Sequence, residues 1–411
     1  MGVKQVYDKW QSINLVYRIV GGLLIGLILA LIVPGNEYIP LLGSLFVGAL
    51  KAIAPFLVLF LVVGSLAKSG KGISSRFRLV IYLYVISTII SAIVATVLSF
   101  AFPSEIILNV DTDDVPKTSS DAYALISSLL LKLVANPLDA LMNGNYLGIL
   151  FWAVIVGFIL RTTASEGTLK ICNDLSDTLV KVIGIVISFA PFGILGLIYD
   201  AVSDNGMSIF VDYGHLILIL VAAMLVVMFI TNPLIVFITT RRNPYPLLFT
   251  CLKGSAVTAF FTRSSAANVP MNLSLCEKVG VDKELYSTSI PLGATINMNG
   301  AAITITVMTL AAAYTLDVNV PFYMAALLCI VSAFAACGAS GVGGGSLLLI
   351  PLACSLIGIS DEIAVQLIAI GFIIGVIQDS LETALNSSAD AYFTIAAEIH
   401  ENPDKELNLK V

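Results

Sequence analysis

Apolar segments of bilayer length recur along this chain, and the last of them carries carboxylates inside it. The largely apolar run Ile363–Ile377 continues without a break into Gln378-Asp379-Ser380-Leu381-Glu382-Thr383-Ala384-Leu385-Asn386-Ser387-Ser388-Ala389-Asp390-Ala391-Tyr392. A backbone in hydrocarbon must satisfy its own hydrogen bonds, so only helices and closed barrels cross a membrane. Long apolar runs of about 20 residues select the helix. Composition agrees: the chain is 58% hydrophobic and 12% charged, against about 25% charged in soluble domains. The reading is an all-α polytopic membrane protein.

Spans are expected over about 17–34, 41–67, 78–102, 146–164, 178–199 and 209–240, with a weaker apolar segment at 121–136. The first has no small-residue cleavage site before Pro34-Gly35 and is expected to stay as a spanning helix. Cys172, Cys251, Cys276, Cys329, Cys337 and Cys354 follow no CxxC or Cys/His spacing. They read as small core residues. His215 and His400 are the only histidines, which argues against histidine catalysis or a metal centre. The net charge of −6, with no basic cluster, points away from nucleic acid.

Charge placement gives a topology. Lys4, Lys9 and Arg18 precede the first span, and Lys68, Lys71, Arg76 and Arg78 follow the second. Arg161, Lys170, Arg241 and Arg242 recur at later alternate ends, whereas 103–120 and 200–206 are acidic. By the positive-inside rule the N-terminus is expected to be cytoplasmic, and with two re-entrant hairpins that each enter and leave on one side the C-terminal tail is expected there too.

The second half is interrupted by small polar clusters: Ser264-Ser265-Ala266-Ala267-Asn268, Asn297-Met298-Asn299-Gly300, 338–346 and 386–390. Irregular backbone at membrane depth must be buried or line a cavity. The breaks form two similar pairs, and paired interruptions point to a transport site between repeats. The first member of each pair reads as the tip of a re-entrant hairpin, the second as an unwound or polar helix.

Four ionisable groups fall in this half at membrane depth: Arg263, Asp379, Glu382 and Asp390, summing to −2. Such charges are costly and mark functional sites. Cations would relieve the excess, and hard cations favour oxygen, including carbonyls freed where a helix unwinds. Glycines at 341 and 343–345 permit tight reversal, and free N–H groups at a tip can hold a carboxylate. A purely structural charge cluster and glycine-mediated helix packing are the competing readings.

At these residues the chain resembles the dicarboxylate/amino acid:cation symporter family, which has the glutamate-transporter fold. The resemblance runs from Leu45-Phe46-Val47 and Val62-Val63-Gly64-Ser65, through Tyr84, Ser87 and Thr88, to Thr262–Ser265, Asn297–Gly300, 338–346 and 379–390. It implies eight transmembrane helices, two re-entrant helical hairpins, inverted repeats, a homotrimer and elevator transport. The implied division is scaffold helices 1–2 in 1–77, transport helix 3 in 78–102 and scaffold helices 4–5 in 103–207. Transport helix 6 would lie in 208–242, the transport core of hairpins and helices 7–8 in 243–400, and a cytoplasmic tail in 401–411.

The resemblance also implies roles. Asp379 would bind a substrate ammonium, Thr383 and Asn386 would contact the substrate, and Ser265 with tip backbone would hold its carboxylate. Arg263, Ser264, Val342, Gly344 and Glu382 complete the substrate set. One Na+ would sit among Gly293, Asn297, Asn386 and Asp390. A second would use the Thr295 carbonyl with second-hairpin backbone, where Ala336 and Ala339 replace hydroxyls. A third, weaker set is Tyr84, Ser87, Thr88, Asn297 and Asn299.

Departures set the substrate. Acidic-substrate members carry Arg at the position of Glu382 and Thr at that of Ala301. Glu382 would repel an acidic side chain, so the resemblance implies Na+-coupled import of small neutral hydroxy amino acids, L-serine and L-threonine, across a bacterial inner membrane. Glu382 is expected to pair with Arg263 or to accept the substrate hydroxyl. Asn299 replaces an Asp, which predicts fewer coupled sodiums. A Na+- or H+-coupled dicarboxylate carrier and an ion channel are the alternatives; no nucleophile–His pair or P-loop supports an enzyme or an ATP-driven pump.

Overall fold

A computed structural model describes residues 13, 15–68, 75–108, 127, 131, 133–143, 145–206, 209–339 and 343–409. Among them every regular element is helical. The first helices are α1 (Leu15–Ile32), α2 (Ile39–Lys68), α3 (Ser75–Ala101), α4 (Pro137–Met142), α5 (Tyr146–Thr163), α6 (Glu166–Ser188) and α7 (Ala190–Asn205). Next, α8 (Ile209–Val226) runs through a wide turn at Val227–Thr231 into α9 (Asn232–Thr240). A second wide turn, Leu252–Ala256, joins α10 (Tyr245–Cys251) to α11 (Val257–Thr262). Then come α12 (Ser265–Val279), α13 (Lys283–Ile296), α14 (Asn299–Thr315), α15 (Phe322–Ala336), a tight turn at Gly345–Leu349, α16 (Ile350–Leu356) and α17 (Asp361–Glu401).

Among the described residues, four stretches are long and apolar enough to cross a bilayer: Arg76–Ala101, Tyr213–Thr240, Lys283–Thr315 and Asp361–Glu401. Shorter apolar helices include Tyr17–Ile32, Phe151–Thr163 and Ala190–Ser203. One expected span is corrected: 178–199 straddles a break at Phe189, between α6 and α7. The reason is Pro191, whose missing N–H and fixed φ suit a first helical turn and not an interior. The expected segment at 121–136 lies mostly outside the described residues.

The helices pack in two groups. α1 lies on α7, and α2 lies on α5, α6 and α7. Glycine makes the first contact close: a Cβ at Gly22 would come 2.1 Å from the Pro191 carbonyl oxygen, and one at Gly26 2.4 Å from that of Leu195. Small residues are what let membrane helices approach this closely. The second group surrounds α17, against which α3 and α8 to α14 and α16 all pack. The groups meet where α17 touches α1, α2 and α7, and where α16 touches α5.

The segment after α17, expected as a tail, returns along the body. Asn408 N–H donates to the Val279 carbonyl at 3.0 Å, and Thr250 Oγ1 donates to the Leu409 carbonyl at 2.7 Å. The ends of α9, α10, α12 and α17 therefore lie on one face of the molecule.

Candidate functional site

Two chain reversals and one helix break converge on the middle of α17. At the first reversal α11 ends in Arg263, held left-handed at φ 52°, and extended Ser264 caps α12 by accepting the Ala267 N–H at 3.2 Å. At the second, Gly344 has φ +77°, which glycine adopts without cost. The break lies between α13 and α14, where Asn297 and Met298 leave helical geometry. These are three of the four interruptions read from the sequence. The fourth, at 386–390, stays helical within the 41-residue α17.

Asp379 joins both tips. Arg263 Nε donates to its Oδ2 at 2.6 Å, and Gly344 N–H donates to its Oδ1 at 3.1 Å. A Cβ at Gly343 would lie 3.1 Å from both Asp379 Oδ2 and the Arg263 carbonyl oxygen. The Asp379 side chain is 3% exposed, and the buried Arg263 Nη1 has no hydrogen-bond partner among the described residues. Thr383 Oγ1 donates to the Asp379 carbonyl at 2.8 Å, and Ser265 is buried beside the tip. Val342 lies outside the described residues.

One expectation is corrected: Arg263 pairs with Asp379, not with Glu382. Neutral donors surround Glu382 instead. Its Oε2 accepts from Thr304 Oγ1 at 2.7 Å, from Ser346 Oγ at 2.9 Å and from Gln378 Nε2. Gln378 sits one turn before Glu382 on α17, Thr304 one turn into α14, and Ser346 just past the second tip. The α14 backbone crosses close here, since a Cβ at Gly300 would lie 2.8 Å from Glu382 Cα.

About two turns further along α17, Asp390 faces the helix break. Asn297 Nδ2 donates to Asp390 Oδ1 at 2.8 Å, leaving Asp390 Oδ2 and Asn297 Oδ1 buried without partners among the described residues. Gly293 is equally close, as its Cβ would lie 2.7 Å from Asp390 Oδ1. Asn386 Oδ1 accepts the Gly300 N–H at 2.7 Å, and its carbonyl accepts from Asn297 Nδ2 at 3.3 Å. The four residues named for a first Na+ thus come together. A single carboxylate among neutral oxygens, with one carboxylate oxygen and one amide oxygen lacking donors among the described residues, fits a hard monovalent cation. Among the described residues no three His, Cys, Asp or Glu side chains cluster.

The remaining cation residues differ. Near Thr295, Cys337 Sγ lies 3.6 Å from the Ile296 carbonyl oxygen, which brings the end of α15 beside that of α13. Both polar atoms of the Asn299 amide have neighbours: Nδ2 donates to Ser87 Oγ at 2.8 Å, and Oδ1 lies 3.0 Å from Thr88 Oγ1, whose one proton also faces the Tyr84 carbonyl at 2.8 Å. Ser87 passes its own proton to Asn232 Oδ1 at 2.6 Å. Tyr84 donates to the Asp390 carbonyl at 3.1 Å.

Sequence reading gave no role to Asn232, Asn272 and Thr304, nor to Asn268 and Gln378, which it noted only as members of polar stretches. Asn268 Nδ2 reaches Ser255 Oγ at 2.9 Å and Ser387 Oγ at 2.8 Å, and Asn272 Nδ2 reaches the Ser387 carbonyl at 2.9 Å. A signal existed for these two: they stand four apart on α12, a spacing that puts both on one face. Gln378 offered the same signal, four residues before Glu382 on α17, whereas Thr304 gave none, because an isolated hydroxyl in a span carries no spacing.

Comparison with known proteins agrees with this geometry. The sodium:dicarboxylate symporter family matches residues 15–399. The serine/threonine transporter SstT of Bifidobacterium adolescentis is 51% identical over 400 residues, covering 97% of this chain and 92% of that protein. With tips, helix break and buried carboxylates placed as described, the chain belongs to the sodium:dicarboxylate symporter family.

Proposed function

We propose that this protein is a secondary active symporter that couples Na+ entry to import of L-serine and L-threonine. The observation that carries the substrate class is Glu382: a carboxylate surrounded by neutral donors disfavours an acidic side chain beside it. The 51% identical relative, named a serine/threonine transporter, supports the same choice.

In this reading Asp379 takes the substrate ammonium in exchange for Arg263, and the unpartnered Arg263 Nη1 with Ser264, Ser265 and tip backbone takes the carboxylate. Thr383 and Asn386 complete the contacts. Na+ is the coupled cargo: Asp390 supplies the charge, with carbonyls of Gly293, Asn297 and Asn386. A second ion at Thr295 draws on the approach of α15 to α13. The Asn299 set contributes less, because its amide is neutral and already has Ser87 and Thr88 as neighbours.

Movement of α3 and α8 to α17 as a transport unit against α1, α2 and α5 to α7 is the elevator we propose, within a homotrimer in a bacterial inner membrane. The two-group packing supports that partition. Cytoplasmic termini fit Arg242 and the C-terminal segment sharing one face, where Arg242 Nη2 donates to the Pro403 carbonyl.

The test is uptake of labelled L-serine into proteoliposomes under an inward Na+, K+ or H+ gradient, with unlabelled threonine or aspartate. Na+-driven uptake blocked by threonine alone is expected. Competition by aspartate would contradict the Glu382 argument, and gradient-independent flux would contradict symport.

A further inference from the structure

Glu382 is held in an asymmetric way that bears on how this site would tell serine from alanine. All three of its donors, Thr304, Ser346 and Gln378, converge on Oε2, and none among the described residues reaches Oε1. Gln378 Nε2 also donates to Thr304 Oγ1 at 2.7 Å, so the amide is turned with both its protons toward the cluster. Its Oε1 is consequently buried with no partner. Gln378, Ser346 and Thr304 are each at most 1% exposed, so water is a poor substitute donor there.

The cluster therefore holds more acceptors than donors. Its protons are directed at Oε2 or along the chain from Gln378 to Thr304, with the Gly300 carbonyl, 3.0 Å from Thr304 Oγ1, as the second acceptor for that one hydroxyl proton. Glu382 Oε1 lies outside the fully buried atoms of the cluster, on a residue 5% exposed, so it is an acceptor that a ligand's hydroxyl proton can reach. Position fixes which hydroxyl. Asp379 and Glu382 are three apart on α17, and side chains at that spacing lie about 5–6 Å apart on one helix face. An amino acid whose ammonium sits at Asp379 therefore has its β-hydroxyl within reach of Glu382.

We propose that Thr304, Ser346 and Gln378 are specificity-determining positioning residues: by clamping Glu382 Oε2 they present Oε1 as the acceptor for the substrate's β-hydroxyl. This rests on the symport reading above and goes beyond it, since it names how hydroxy amino acids are chosen over alanine. A site built to bond a hydroxyl rejects the analogue that lacks it, because its own polar groups are then left unpaired.

The test measures kcat/KM for Na+-driven uptake of L-serine, L-threonine and L-alanine in wild type, Thr304→Val, Thr304→Ser and Gln378→Met. Loss of the clamp is expected to lower the serine-to-alanine ratio about tenfold, mainly through a higher KM for serine, with Thr304→Ser restoring it. A fall in serine and alanine uptake by the same factor would make the residues merely structural and overturn the proposal. Wild type supplies a check that needs no variant: O-methyl-L-serine, which keeps the oxygen and loses the proton, is expected to compete no better than alanine. Competition equal to serine would overturn the donor assignment. Absence of any Na+-driven serine uptake by wild type would remove the symport reading itself, a result distinct from intact uptake without hydroxyl discrimination.

Discussion

At the scale of single residues, two carboxylates on α17 do different work because of what faces them. Asp390 meets an unwound backbone and keeps Oδ2 without a partner among the described residues. Asp390→Asn preserves shape and removes the charge, so the Na+ concentration for half-maximal serine uptake should rise at least ~10-fold, which corresponds to about 1.4 kcal/mol. A Na+ titration of uptake checks this, and an unchanged midpoint would take Asp390 out of ion binding. Glu382 meets neutral donors. Replacing it by Arg together with Ala301→Thr supplies both groups that the resemblance assigns to acidic-substrate carriers. Aspartate should then compete for uptake where it did not before, and threonine should compete less.

At the scale of elements, backbone contact between α1 and α7 depends on glycine. Gly22→Ala would place a methyl group 2.1 Å from the Pro191 carbonyl oxygen, whereas at Gly21 nothing lies within 4 Å. Overpacking of this kind typically costs about 1–3 kcal/mol. The apparent melting temperature of detergent-purified Gly22→Ala should fall, while that of Gly21→Ala stays at the wild-type value. Equal effects would mean that helix propensity, not the crossing, sets the cost.

For the whole molecule, a charged network fastens the ends of distant helices on one face. Arg76 Nη1 donates to Asp282 Oδ2 at 3.0 Å and to Glu398 Oε2 at 3.3 Å, and Lys405 Nζ donates to Glu398 Oε1 at 2.6 Å. The Glu284 N–H, with Arg76, holds the Asp282 carboxyl below the usual carboxylate range. A depressed value stabilises the fold above the unfolded pKa of about 3.9, and that contribution is lost as pH falls through the lowered value. The gap in melting temperature between wild type and Asp282→Asn should therefore hold at neutral pH and narrow as pH falls below the unfolded value of about 3.9. Coupling is also a whole-molecule property. With Asn299 neutral, fewer charges should move per serine than in a carrier with Asp there, as measured by charge-to-substrate ratio in vesicles.

Much of this was legible in the chain itself. Apolar runs of bilayer length dictate helices, because backbone groups have no other partners in hydrocarbon. Buried carboxylates at 379, 382 and 390 announce a site, because charge at that depth is costly. The break at Asn297-Met298 followed from clustered Asn and Gly. The division at Phe189 was overlooked because hydropathy runs smoothly through it, although Pro191 marked it. Partner choice was not legible. Nothing in the spacing could tell whether Arg263 would reach Asp379 or Glu382, since they stand one turn apart on the same face of α17. Only the meeting of both tips with α17 gave Asp379 the guanidinium and the Gly344 N–H. Likewise Thr304, Ser346 and Gln378 come from three separate elements, and a hydrogen bond forms only where tertiary packing brings donor and acceptor within about 3 Å. The sequence by itself determined which charges must be buried; the packing of α11, α14 and the second tip against α17 decided what each charge holds.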